Sequence, residues 1–141
     1  MGEEGDPTVI RVLVVTAEDV VTALEANERR DAGAVVRVTP PFAARMRARL
    51  HVAGAEGEYD EPRPIHVPPG RLVADPPPFP TPDDTADELR ASDAGYTPER
   101  HHERHGARVT AWRDTVRDRI VAEATLRTPA GPHTVAVKTL G

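Results

Sequence analysis

The sequence predicts an α+β fold: one small domain with a mixed or antiparallel sheet and two or more helices. Three observations carry this. Residues 9–15, VIRVLVV, are β-branched and nearly all apolar, the composition of a largely buried strand. Thr97-Pro98-Glu99 is a helix start: a hydroxyl cap, proline at the first helical position, then an acid facing the positive helix end. Val109, Trp112, Val116 and Ile120 continue from it as a narrow apolar stripe. Finally ATLRT (124–128), a Pro129-Ala130-Gly131 turn and HTVAVKTL (133–140) read as a closing hairpin.

The remaining elements follow in order. Residues 1–7 are expected to form a disordered acidic leader, and residues 8–141 the single domain. Thr16 offers an N-cap with Asp19 three residues on, so a helix with Val20, Val21 and Leu24 on its apolar face should run to about Asp31-Ala32-Gly33. AVVRVT (34–39) reads as a strand. From Pro40 to Val52 two readings compete. A helix would be capped by Thr39 and lined by Phe42, Met46 and Leu50. A strand would place Arg45, Arg47, Arg49 and His51 on one side and Ala44, Met46, Ala48, Leu50 and Val52 on the other. The strand is preferred because the alternation persists through nine residues, 44–52. Residues 53–63 read as a loop, 64–69 as a short edge strand that tolerates proline, and 75–82, DPPPFPTP, as an extended polyproline II surface segment. Asp83 to Ala91 suits a short acidic helix, and the long helix from Thr97 should end near Ala122, with Gly106 its weak point.

Composition narrows the chemistry. The chain has 141 residues, enough for one genuine core, and with aromatics at 4% that core rests on Val, Leu, Ile and Ala. Trp112, Phe42, Phe79, Tyr59 and Tyr96 are each expected to anchor something. The absence of cysteine excludes disulfides, thiolate metal ligands and a cysteine nucleophile. No apolar run approaches 18 residues and the N-terminus is acidic, so neither a membrane span nor a secretory signal is expected and the location is read as cytoplasmic. No phosphate-cradling glycine loop, dinucleotide fingerprint or nucleophile elbow occurs. A serine hydrolase would have to use Ser92, and a Schiff-base enzyme Lys138, the sole serine and the sole lysine. Neither has a distinguishing context, so no catalytic residue is assigned and no cofactor is expected.

His101, His102 and His105 form the sharpest apparent motif. His101 and His105, at i and i+4, can converge on one metal ion. The spacing departs from the zinc-protease helix by one residue, and no third ligand can be assigned. The two histidines also extend the Val109–Ile120 stripe, which reads as packing. No metal site is therefore expected, with His101 and His105 the residues that would form one. Asp60-Glu61 and Asp83-Asp84 read as solvated loop acids.

The better candidate is a ribbon of arginines. Ala34 to Ala55 holds four arginines, Arg37, Arg45, Arg47 and Arg49, and no acid, a local charge of +4 in a chain whose formal net charge is −5. On a strand, three guanidinium groups and His51 would share a face at about 6.6–7 Å intervals, a spacing that suits a phosphate backbone. The competing reading pairs these arginines with Glu56, Glu58, Asp60 and Glu61, or with Asp83, Asp84, Asp87 and Glu88.

The stretches RDAGAVVRVTPPFAARMRARLHV, PIHVPPGRLV, PTPDDT, YTPERH and GPHTVAVKTLG resemble small uncharacterised proteins of salt-loving archaea that carry a domain of unknown function. The resemblance spans residues 8–141, agrees with the acidic, lysine-poor composition, and implies no activity, cofactor or site residue. The expectation from the residues is a non-enzymatic binding protein that contacts RNA, DNA or a ribonucleoprotein through Arg37, Arg45, Arg47, Arg49 and His51. The alternatives are a protein–protein adaptor docking through residues 75–82, and a metal-dependent enzyme built on the histidines. No membrane partner is expected.

Overall fold

A computed structural model describes residues 5–52 and 63–141. Strand β1, Val12–Thr16, buries Leu13 and Val15 completely and leads directly into helix α1, Ala17–Arg30. Thr16 caps that helix, its Oγ accepting from the Asp19 amide at 3.1 Å. Asp31, left-handed at φ 50°, and Gly33, at φ 68°, end it. The Asn27 side chain then brackets Ala34, giving Nδ2–H to its carbonyl at 2.9 Å and taking its N–H at 2.6 Å. Strand β2, Ala34–Val38, therefore starts against the helix that precedes it, where Ala23, Ala26 and Ala34 form a small buried cluster.

Strands β3, Arg45–Arg47, and β4, Arg49–Val52, follow, then β5, Ile65–Val67. Helix α2, Pro82–Ala91, and helix α3, Pro98–Asp118, share one start signal: a threonine cap (Thr81, Thr97), then proline. The hairpin β6, Glu123–Thr128, and β7, Gly131–Leu140, closes the chain. The strands form a mixed sheet, order β3-β1-β7-β6, and an antiparallel sheet, order β4-β2-β5. In the first, β1 runs parallel to both β3 and β7. One core joins the two sheets and the helices, with Ile10, Leu13, Val20, Val36, Leu72, Val116, Leu126 and Val135 at its dry centre. The fold is α+β and single-domain, as expected, but with two sheets.

Three expectations need correction. The first strand starts at Val12, because Pro7–Val9 form a 3-10 turn capped by Asp6. Of the expected leader, residues 1–4 lie outside the described residues, and Pro7 is buried. Helix α3 stops at Asp118 instead of near Ala122, so Ile120 leaves the helical stripe and bridges to Val73. Lastly, residues 44–52 are extended but are not one strand of one sheet. Ala48 is fully buried and gives its N–H to Val14 at 2.9 Å, and there the chain passes from the edge of the mixed sheet to the edge of the antiparallel one. The expected loop at 53–63 falls, except for residue 63, outside the described residues.

Candidate nucleic-acid interface

The mixed sheet buries one face and leaves the other open, as antiparallel and mixed sheets commonly do. Alternation puts Leu13, Val15, Ala124, Leu126, Val135 and Val137 in the core. The open face carries Arg45 and Arg47 of β3 and Lys138 of β7. The register sets Arg47, Val14 and Lys138 side by side in one row, and Arg45, Val12 and Ala136 in the next. Val14 is only 7% exposed although it faces outward. It lies between two side chains whose aliphatic stems are long enough to cover it while their charges stay in water.

The rest of the ribbon belongs to the other sheet. Arg37 lies directly between Arg49 on β4 and His66 on β5, and His51 is opposite Val35. Arg49, Arg37 and His66 thus form one basic row across three strands, and the His51 and His66 rings stand 5.4 Å apart. Like charges directly opposite one another on a sheet repel. The five sequence candidates accordingly divide into Arg45 and Arg47 on one sheet and Arg37, Arg49 and His51 on the other, joined through Ala48.

Of the acids expected to neutralise the ribbon, Glu56, Glu58, Asp60 and Glu61 lie outside the described residues, and two of the others are engaged elsewhere. Glu88 pairs with Arg104 and Arg108, and Asp87 with Arg90. Among the described residues Asp19 reaches it: its Oδ2 lies 3.8 Å from Arg47 and accepts the Leu50 amide at 3.3 Å. Among the described residues Arg45, Arg49 and Lys138 form no ion pair. Sequence reasoning weighed Lys138 only as a nucleophile. Its place beside Arg47 depends on β1 pairing with both β3 and β7, which alternation alone does not reveal.

The other two candidate regions make packing contacts. In the proline-rich segment, Pro80 is buried, Phe79 packs edge-on against Trp112 at 4.9 Å, and Pro77 accepts the Trp112 indole N–H at 2.9 Å. The histidines tie α3 to the start of α2. His101 gives Nε2–H to the Pro82 carbonyl at 2.9 Å, and His105 Nδ1 lies 2.9 Å from the hydroxyl of fully buried Thr85. Burial, and then the positive charges of His101, Arg29 and Arg108, hold the His105 imidazole below its ordinary pKa, and the His101 and His105 rings stack with centroids 5.7 Å apart. Among the described residues no three His, Cys, Asp or Glu side chains are placed to hold a metal ion. No helix among them is long and apolar enough to cross a membrane.

Fold and surface together define a single-domain α+β protein that presents a basic, open sheet face. The chain belongs to the family described as Domain of unknown function (DUF8009), which matches it over residues 1–141. No curated protein and no solved structure is significantly similar to it.

Proposed function

We propose that the protein binds a phosphate-rich polymer, RNA or DNA, across Arg45, Arg47, Arg49 and Lys138, with Arg37 and His51 at the margin. The observation that supports this reading is the exposure, without ion pairs among the described residues, of Arg45, Arg49 and Lys138 in an acidic chain. Guanidinium forks suit phosphate oxygens, and contacts of this kind position a nucleic acid without reading its sequence.

A salt titration of binding to mixed-sequence RNA and DNA tests it. Each lost phosphate contact lowers the slope of log affinity against log salt by about 0.7–0.9, so R45A/R47A/R49A should lower it by roughly 2–3. K138A should remove about one further contact. R104A/R108A, which removes the arginines held by Glu88, should leave the slope unchanged. Equal slopes for wild type and the triple variant, or no binding by folded wild type at any salt, would exclude this function.

A further inference from the structure

The strand β6 lies at one end of the mixed sheet, and no other strand among the described residues pairs with its free side. Unpaired edges invite pairing with another chain, and folds usually blunt them by shortness or by proline. The other edges here are blunted. Strands β3 and β5 have three residues each, β4 has four, and Pro64 and Pro68 flank β5. Strand β6 runs for six residues, Glu123–Thr128, with no proline inside it.

The ladder with β7 decides which groups face outward. Val137 gives its N–H to the Ala122 carbonyl at 2.8 Å, so residue 122 points its backbone groups toward β7, and 124, 126 and 128 do the same by alternation. Glu123, Thr125 and Arg127 therefore turn their N–H and C=O groups to the free edge. A groove of about 620 Å³ runs along that edge, with Arg71 and Thr128 among its walls.

We propose that two copies of this chain join edge to edge through β6, antiparallel about a twofold axis at Thr125. In this register Thr125 meets Thr125 of the second copy, and Glu123 meets Arg127 of the second copy, twice. All three are hydrogen-bonding pairs, each exchanging two backbone bonds. On the core side Ala124 meets Leu126 of the second copy, so no charge is placed there. A slip of two residues either way sets Thr125 against a charged residue and loses both ion pairs, and parallel pairing sets like against like. The edge is thus self-complementary in the sense a twofold interface requires. The axis stands perpendicular to the sheet, so the open faces of the two copies continue one another.

Sedimentation velocity tests the proposal. The wild type should be a dimer. E123R sets arginine against arginine and R127E sets glutamate against glutamate, so each alone should dimerise about tenfold or more weakly. Mixing the two variants in equal amounts should restore the dimer, because each copy then supplies what the other lacks. T125P removes an N–H that points away from β7 and should abolish association while thermal melts stay cooperative. If that variant fails to fold, the exposed charge pair decides alone. A wild type that remains monomeric at the highest soluble concentration overturns the proposal. So does a dimer that neither single charge reversal weakens, or one that mixing fails to restore.

Discussion

Replacing Trp112 with alanine is expected to destabilise the domain by about 3–5 kcal/mol, the cost of removing a large aromatic from a core. Trp112 is 5% exposed, and three things depend on it. It fills the space between α3 and the proline-rich segment, it meets Phe79 edge-on at 4.9 Å, and its indole N–H satisfies the Pro77 carbonyl at 2.9 Å. Arg29 continues the stack, its guanidinium 5.1 Å above Phe79, so α1, the segment and α3 are tied at one point. For a chain this long the loss corresponds to a fall in melting temperature of roughly 10 °C or more. Trp112→Phe separates the contributions: it keeps most of the ring burial, forfeits the hydrogen bond and should cost far less. Thermal melts of the two variants are the check. An unchanged melt for the alanine variant would mean that the segment is not anchored through this ring.

The second large effect is expected at Glu25. Its carboxylate is 15% exposed and accepts from Arg113 at 2.6 and 2.9 Å and from Arg29 at 2.8 Å, so one acid clamps α1 to α3 and to itself. The Arg113 hydrogen bonds dominate; burial works against them and Arg29 assists, and the net result holds the carboxyl below the ordinary glutamate pKa. Exposed ion pairs contribute under about 1 kcal/mol and broken buried ones cost several. This partly exposed, bidentate clamp lies between, so Glu25→Gln should cost about 1–3 kcal/mol at neutral pH.

A depressed folded-state pKa fixes the direction of the pH dependence. The stabilisation is fully present above the unfolded-state value of about 4.3, and is lost as pH falls through the lower folded-state value. Wild type and variant should therefore differ at pH 7 and converge in acid. Denaturant unfolding across that range measures the gap; a gap that stays constant would mean that the carboxylate charge is not its source. His105, also depressed, adds a separate acid sensitivity that sets in as pH falls through the ordinary histidine value of about 6.5 and is complete below its lower folded-state value, and His105→Ala should remove it.

Much of the local structure was legible in the sequence because its causes are local. Thr16, Thr81 and Thr97 bond amides three residues ahead, and proline follows the last two, so helix starts could be read to within a residue. The closing hairpin carried its turn and its alternation in one stretch. Helix ends were less legible. Arg119 leaves the helix where Ala74 and Val121 find partners in Arg119 and Leu72 on neighbouring segments, and the 3.6-residue period of the side chains carries no sign of that.

The basic surface shows the same division. The sequence by itself determined that residues 45–52 alternate, that their arginines lie on the side away from Met46 and Ala48, and that no acid stands among them. Only the tertiary structure decided the neighbours. It divided the ribbon between two sheets at Ala48, brought Asp19 to Arg47 across 28 residues of chain, and placed Lys138 beside Arg47 at the far end of the sequence. The physical reason is that a period of two states which side of a strand a residue occupies and nothing about which strand lies alongside. That choice is made by burial of Leu13, Val15, Val135 and Val137 in a common core, a term summed over the whole chain.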